Sequence, residues 1–408
     1  MLKTNSPPTP TRPSLPRSIW ALGFVSLLMD ISSEAIHSLL PVFMATVLGA
    51  SMLTIGLLEG AAEATALIIK VFSGALSDWL GRRKPLALAG YGLGALAKPL
   101  FALAGGMGLV VTARLLDRVG KGIRGAPRDA LVADLAPPGM RGTAFGLRQS
   151  LDTAGAFLGP LMAMGLMLLW ANDFRAVFWA ACLPALLCVA TLAWGVKEPD
   201  QPPRAIRGNP ISVSNLRRLT STYWWVVTIG AVFALARFSE AFLVLRAQQG
   251  GLPLAAAPLV LIALNLVFSA GAYPLGKLSD SVNHATLLMT GLAALMVADG
   301  LLAWRDHGSA FWLGIASWGL HMALTQGLLA TMVADAAPAD LRGTAFGMFN
   351  LVSGLAMLVA SALAGWLWDR LGAPTTFLTG MAFGCAALVL VAWRGQTGLR
   401  APAEQNMS

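Results

Sequence analysis

Charged side chains are scarce in this sequence. Only 12% of its 408 residues are Asp, Glu, Lys or Arg, whereas 56% are hydrophobic. A soluble domain carries about 25% charged residues, so the composition excludes an ordinary soluble protein and predicts a chain that crosses a membrane several times. The net charge of +9 does not indicate nucleic-acid binding, because the basic residues lie mostly between apolar runs rather than on one solvated face.

Cysteine and histidine are also few. Cys182, Cys188 and Cys385 lie in apolar runs without metal-binding or disulfide spacing, so we interpret them as small buried hydrophobic residues. The four histidines are spread along the chain, and the motifs H-E-x-x-H and G-x-S-x-G are missing. We therefore expect no metal, no cofactor and no enzyme activity. A P-loop is missing too, so ATP-driven transport is not expected.

Twelve apolar stretches are long enough for a bilayer span, which needs roughly 20 apolar residues. They lie at residues 19–48, 53–73, 84–104, 107–133, 143–170, 175–196, 223–248, 255–276, 284–304, 309–334, 343–367 and 375–394. The first is too long for the core of a cleavable signal peptide, so we expect it to be a retained helix. The predicted fold is an all-α integral membrane protein with an N-terminal tail (1–18), a six-helix bundle (19–196), a linker (197–222), a second six-helix bundle (223–394) and a C-terminal tail (395–408).

The distribution of basic residues predicts the orientation. With the N-terminus inside, the cytoplasmic segments hold most of the arginines and lysines, whereas the outer ends of the spans hold only Arg175, Arg246, Arg305 and Arg370. Basic residues favour the cytoplasmic side. We therefore expect a multi-pass protein of the bacterial inner membrane with both termini in the cytoplasm.

The two halves of the chain are repeats. "VADLAPPGMRGTAFG" begins at Val132 and "VADAAPADLRGTAFG" begins 201 residues later, with eleven of fifteen positions identical. Gly74 and Asp78 have counterparts in Gly276 and Asp280, and a fainter pair is Ser-Glu-Ala at residues 33–35 and 239–241. Two parallel six-helix halves place a binding site near the midplane, between them.

These residues resemble the major facilitator superfamily of secondary transporters. "GALSDWLGRRKPL" is similar to its signature loop between the second and third helices, which implies that Gly74, Asp78, Arg82 and Arg83 form a cytoplasmic gate. In the family this network latches the halves in the outward-facing state. The copy at Gly276 and Asp280 lacks the arginines, so an asymmetric gate is expected, with Asp280 as its second member.

Two further motifs carry the resemblance. Arg114, Gly120 and Gly122 match the family signature of the fourth helix, but Arg118 stands where the family has glycine. "GAFLGPLMA", with Gly155, Gly159 and Pro160, is similar to the antiporter motif of the fifth helix, which implies export. The alternative is ordinary packing of small residues between helices.

Five cations of the fourth span, Arg114, Arg118, Lys121, Arg124 and Arg128, fall within about 120° of one helical face. A cation at the bilayer centre costs roughly 2.5–3.5 kcal/mol, so those in the core need partners or water. The candidate partners lie on single faces of neighbouring spans: Asp30, Glu34 and His37; Glu59, Glu63 and Lys70; Arg148 and Asp152.

Two interpretations of these charges stay open. They could be structural ion pairs, or they could form a pathway for protons and substrate, because a carboxylate in a low-dielectric site can take up a proton near neutral pH. For the pathway we expect Glu34 and then Asp30 to carry protons, with Arg114 as modulator and Glu240 as the symmetry-related candidate. We expect Arg118, Lys121, Glu59, Glu63 and Asp152 at the substrate cavity, and the cations to favour acidic substrates.

The predicted function is secondary transport by alternating access, as proton-coupled efflux of a drug, metabolite or organic anion. The expected partners are a small-molecule substrate, a coupling ion (H⁺) and the lipid bilayer, with the protein as a monomer. The alternatives are an importer or uniporter on the same fold, and a non-transporting receptor or scaffold.

Overall fold

The N-terminal half folds into seven helices that occupy six spans. The computed structural model describes residues 15–80, 82–137, 140–198, 216–279, 282–304, 308–338 and 341–395, and it has no β-strand within them. The helices of this half are α1 (Arg17–His37), α2 (Leu40–Thr46), α3 (Met52–Leu80), α4 (Lys84–Ala102), α5 (Met107–Leu135), α6 (Arg141–Leu169) and α7 (Phe174–Gly195). The predicted tails and linker lie largely outside the described residues.

The C-terminal half repeats this arrangement. Its elements are α8 (Ser221–Ala236), α9 (Ala241–Gln249), a 3₁₀ turn (Leu254–Ala256), α10 (Leu259–Ser279), α11 (His284–Trp304), α12 (Gly308–Ala336), α13 (Arg342–Leu371) and α14 (Ala373–Gly395). In the first half α4 packs on α5 and α7, and α1 packs on α6 and α7; in the second half α11 packs on α12 and α14, and α8 packs on α13 and α14. The shared packing confirms two parallel six-helix repeats.

Two of the predicted spans are each divided into two helices, by a break that the sequence analysis did not predict. The first span divides at Ser38 and Leu39, because Pro41 has no amide hydrogen and its ring clashes with the carbonyl four residues earlier. The seventh divides at residues 237–240, where no proline is present. There the amide of Ser239 donates to Oγ of Ser361 at 3.1 Å, so a side chain of α13 replaces the missing helical bond.

A hydropathy criterion detects most of the predicted spans, and charge explains why it misses α5. Within the described residues, nine spans are long and apolar enough to cross a membrane by composition alone, and each broken span counts as one. The three helices that complete the twelve predicted spans are α4, α5 and α12. The helix α5 carries the cationic face described above, so its mean hydropathy is low although it lies inside the bundle.

The two halves meet tightly along α3 and α13 at one end of the bundle. We call this the sealed end. We call the other the basic end, because the basic residues at positions 82–84, 141 and 342 lie there. A Cβ on Gly60 would lie 2.8 Å from Cα of Leu358, and one on Gly365 would clash with the backbone of Met52. Asp369 also accepts the amides of Met52 (3.0 Å) and Leu53 (2.9 Å). Only glycine permits this approach of the two backbones.

Gly365→Val should weaken the sealed end. Its added carbons would press on the start of α3, and overpacking of this kind costs typically about 1–3 kcal/mol. The expected result is a thermal unfolding midpoint in detergent that falls by several degrees. Gly92→Val is the matched control, because a Cβ on Gly92 meets no atom within 4 Å. Equal midpoints for the two variants would contradict the packing argument.

Candidate functional site

A cavity of about 660 Å³ lies between the halves. The helices α3 and α13 are in contact as far as Ala64 and Gly354. On the side of this contact that faces the basic end, residues of both helices line the cavity. The N-terminal half contributes a charged wall: Glu34, His37, Glu59, Glu63, Lys70, Arg118 and Lys121. The C-terminal half contributes aromatic, thioether and amide side chains, among them Phe233, Phe349, Met322, Asn265, Gln326 and Asn350. The cavity therefore has one polar and one largely apolar side.

Two arginines of α5 are neutralised by glutamates of α3. Arg114 donates to Oε2 of Glu59 at 2.5 Å, and both side chains are buried. One turn further, Nη1 of Arg118 lies 3.1 Å from Oε1 of Glu63, whose side chain is 37% exposed to the cavity. The helices α3 and α5 pack face to face, so residues spaced four apart on each meet in sequence. Both pairs match the partners that the sequence suggested for these cations.

Lys121 differs from these arginines. It is exposed on the cavity wall and forms no ion pair within the part of the chain that the structure describes. It interacts at longer range with Asp30, Glu34 and Glu63. Lys70 is likewise exposed at the cavity, and it too has no ion-pair partner among the described residues. These two ammonium groups are the cations best placed to meet a ligand.

Glu34 lies on the cavity wall at the end of α1. Its Oε2 is 3.3 Å from Nδ1 of His37, and Nε2 of the same ring is 3.7 Å from Oε2 of Glu59. The imidazole therefore joins the cavity carboxylate to the buried pair of Glu59 and Arg114. This chain of groups ends beside the break in the first span.

Asp30 on α1 and Asp152 on α6 do not line the cavity. Oδ1 of Asp152 is 3.5 Å from Nη1 of Arg148 and 3.7 Å from Nη1 of Arg128. Asp30 is close enough to interact electrostatically with Asp152, Glu34 and Lys121. The sequence placed Asp152 at the cavity; in the structure it does not line the cavity, and its carboxylate lies beside Arg128 and Arg148 instead.

The antiporter-type motif touches the carboxylate-bearing face of α1. A Cβ on Gly155 would lie 2.9 Å from Cβ of Asp30, and one on Gly159 would lie 3.0 Å from Cβ of Glu34. Pro160 follows within the same helix. The glycines thus allow α6 to approach the turns that hold the two acids.

The gate motif is only partly described. Gly74 lies against Ala126 of α5 at a distance that just admits a Cβ, 3.4 Å. Nε of Arg83 is 2.8 Å from Oδ2 of Asp134, within the same half, and Arg82 is exposed. The side chain of Asp78 and the whole of Asp280 lie outside the described residues, so the predicted gate between the halves stays a prediction.

In the C-terminal half, Glu240 pairs with Arg237 across the break between α8 and α9, with Oε1 3.0 Å from Nη2. Both side chains line the cavity opposite Glu34. Glu34 lies just before the break in the first span, whereas Glu240 lies within the break in the seventh span. The two glutamates therefore face the same space from different positions in their spans.

Sequence reasoning missed a buried pair in the N-terminal half. Nζ of Lys98, on α4, lies 2.8 Å from Oδ1 of Asp117 on α5 and donates to Oγ of Ser33 at 2.9 Å. Lys98 is 1% exposed. Two signals were available: a single lysine inside an apolar span, and an aspartate three residues after Arg114. Within the described residues, no cluster of three or more His, Cys, Asp or Glu could hold a metal ion.

Asp117→Asn should destabilise the protein more strongly than the double variant Lys98→Met/Asp117→Asn. The single change leaves the Lys98 ammonium buried without a counter-ion, at a cost of about 3–5 kcal/mol, whereas the double change removes both charges. Thermal unfolding in detergent measures the difference. Lys70→Met, which breaks no ion pair with the described residues, is the control. A double variant less stable than Asp117→Asn would overturn this account of the pair.

Comparisons with known proteins identify the family of this chain. The family model of the Major Facilitator Superfamily matches residues 22–361. An uncharacterised MFS-type transporter of Methanocaldococcus jannaschii is 32% identical over 372 residues, which cover 90% of this chain and 92% of the relative. The multidrug resistance protein MdtH of Yersinia pestis is 25% identical over 352 residues, 85% of this chain and 86% of that protein.

Solved structures share the fold. A bacterial homologue of the human lysosomal transporter Spinster, in an inward-facing and unoccupied conformation, superposes with a TM-score of 0.75 at 15% identity, over 96% of this chain and all of that one. The nucleoside transporter NupG gives a TM-score of 0.75 at 13% identity, over 92% of this chain and 99% of that one. The chain accordingly belongs to the major facilitator superfamily, and it is a multi-pass membrane transporter rather than an enzyme.

Proposed function

We propose that this protein exports an amphipathic organic compound in exchange for protons, by alternating access through the central cavity. The observation that carries the proposal is the position of Glu34. Its carboxylate lines the cavity, and the antiporter-type glycines of α6 pack against the same turn of α1. Exchange requires the proton and the substrate to use one space in turn, and Glu34 is a proton-binding group inside that space.

Protonation of Glu34 would change the contacts at the end of α1. A neutral carboxyl attracts His37 and Lys121 less strongly, and His37 is the link to Glu59 and Arg114. This rearrangement would occur next to the break in the first span, which contributes to the packing of the sealed end. A charge change at Glu34 therefore favours one of the two arrangements of the halves, as coupling demands.

The two walls of the cavity indicate the kind of substrate. Charged groups on one side and phenyl, thioether and amide groups on the other suit a compound with a polar end and an apolar body. A relative named multidrug resistance protein, 25% identical, supports this substrate class. With both termini in the cytoplasm, as the basic residues predict, the basic end faces the cytoplasm and the cavity extends toward it, as an exporter needs for loading.

Glu34→Gln should abolish transport driven by a pH gradient. Glutamine keeps the shape of glutamate but cannot release a proton, so exchange of labelled substrate across the membrane should persist while uphill accumulation is lost. The measurement uses proteoliposomes with a pH-sensitive dye and fluorescent amphipathic compounds of cationic, neutral and anionic type. Uphill accumulation by the variant at the wild-type rate would exclude Glu34 as the proton carrier.

Asp173→Asn is the matched control, because Asp173 caps α7 far from the cavity and asparagine also caps helices. Glu240→Gln tests the cavity carboxylate of the other half in the same assay. A protein that moves none of the panel, in either direction, would favour a receptor or scaffold instead.

A second candidate function is uptake of an organic acid together with a proton, and Lys121 favours it. An anion bound at this ammonium raises the proton affinity of Glu34 nearby, so anion and proton bind together rather than compete. A cation bound near Glu34 would instead lower its proton affinity and compete with the proton. The charge of the transported compound therefore determines the direction of coupling.

Lys121→Met should lower the transport of anionic compounds at least tenfold and leave that of neutral ones nearly unchanged. The proteoliposome panel measures both, and the sign of the proton flux separates exchange from cotransport. Lys277→Met, at an exposed lysine outside the cavity lining, is the control. If the anions are unaffected by Lys121→Met, the uptake function is excluded and export is the function that stands.

A further inference from the structure

A buried carboxylate in the C-terminal half has no role in the site described above. Asp299 is the only acidic residue of α11, and its side chain is 0% exposed. Neither of its oxygens has a hydrogen-bond partner among the described residues. An ionised carboxylate without a partner is very costly in an apolar interior. Something other than the donors of the described residues must therefore neutralise Asp299.

Gly380 of α14 marks the place that Asp299 faces. A Cβ there would lie 2.8 Å from Oδ2 of Asp299 and 3.2 Å from the carbonyl oxygen of Ala236. Ala236 ends α8, and the chain becomes extended at Arg237, so this carbonyl has no helical amide one turn ahead. Two acceptor oxygens face one small space, and the described residues supply no donor to either.

The charged and titratable groups on neighbouring elements form no hydrogen bond to Asp299, although Nε2 of His321 and Nε of Arg237 are buried without a partner among the described residues. His321 of α12 bonds the carbonyl of Gly291 through Nδ1 and stacks on Phe233. Arg237, at the break, pairs with Glu240. Arg246 of α9 donates to the carbonyl of Leu302, about one turn beyond Asp299. The described part of α14 up to Trp393 has no ionisable group other than Cys385, which is exposed.

Most of the remaining surroundings are apolar, but the indole N–H of Trp318 is also buried without a partner among the described residues. Phe238 lies against the same space, since one of its ring carbons would be 3.0 Å from a Cβ on Gly380. Phe377, Trp318 and Ala298 belong to the same buried cluster. A metal cation would need several oxygen ligands, whereas a proton needs only one oxygen to hold it and a second to accept its hydrogen bond.

We propose that Asp299 is a proton-binding site in this conformation and that its protonated carboxyl donates a hydrogen bond to the carbonyl oxygen of Ala236. A proton taken from water binds one carboxylate oxygen, and the product is a neutral acid. The two facing acceptors thereby become a donor and an acceptor. This proposal does not depend on Glu34, because it concerns a different half of the protein and a different space.

The site is linked to the sealed end through the break in the seventh span. On one side of the break Asp299 holds the carbonyl of Ala236; on the other, Ser361 accepts the amide of Ser239 at 3.1 Å. The carbonyl of Ser361 in turn lies against Gly56 of α3. Loss of the proton would leave two acceptor oxygens without a hydrogen between them, which costs free energy. That cost would destabilise the present conformation of the break and, through Ser361, the contact between α3 and α13.

Infrared difference spectroscopy of the purified full-length protein tests the proposal. The wild-type spectrum at neutral pH should contain a carbonyl band of a protonated carboxylic acid that Asp299→Asn lacks. Asp173→Asn, at an exposed acid, should leave that band in place. Identical spectra for wild type and Asp299→Asn would show that the carboxylate is ionised and would overturn the proposal.

Two further measurements keep the proposal testable, the first if Asp299→Asn does not fold and the second if another cation is bound. If Asp299→Asn does not fold, Gly380→Ala should shift the same band, because its methyl group would press on Oδ2; an unmoved band would count against the site. Thermal unfolding in NaCl or in choline chloride tests whether Asp299 binds sodium instead of a proton. If NaCl raises the unfolding midpoint of the wild type but not that of Asp299→Asn, the site binds sodium and the proposal of a bound proton is overturned. None of these readouts involves transport, so they can fail independently of the proposed export.

Discussion

Pairing of charge between α3 and α5 is the constraint on which the N-terminal half depends. Arg114 and Arg118 can lie inside a membrane bundle because Glu59 and Glu63 meet them at matching heights. Removing either member of such a pair leaves a buried charge whose cost exceeds what the pair itself contributes. The ion pairs therefore favour one position of α3 relative to α5.

The same constraint explains the asymmetry between the halves. The N-terminal half packs its helices around ion pairs, including Lys98 with Asp117, whereas the C-terminal wall of the cavity is mostly phenyl, thioether and amide groups. Ion pairs are directional and hold one geometry, while methionine and phenylalanine side chains repack around different shapes. The N-terminal wall of the cavity is therefore held in one geometry, whereas the C-terminal wall can adjust its shape.

Much of the architecture could be predicted from the sequence, because it repeats at a fixed offset and its apolar stretches have the length of a bilayer. The partners of Arg114 and Arg118 could be predicted too, since residues four apart share a helical face. The break at residues 237–240 could not, because no proline marks it and Ser361, which supports it, is more than a hundred positions away. Asp299 escaped notice for a similar reason: a single acid in an apolar span has no periodicity, and only its neighbours in space show that it lacks a donor.

The glycine contacts between α3 and α13 have a consequence for how the transporter responds to its surroundings. Apart from the amides that Asp369 accepts, the contacts described along these helices are backbone and aliphatic atoms in van der Waals contact. Such contacts carry almost no charge, so neither ionic strength nor membrane voltage acts on them directly. Voltage acts instead on the ionised groups of the N-terminal half, at roughly 2.3 kcal/mol per charge moved across 100 mV. The electrical sensitivity of the conformational change thus arises from the charged wall, while lipid packing and bilayer thickness act on the seal.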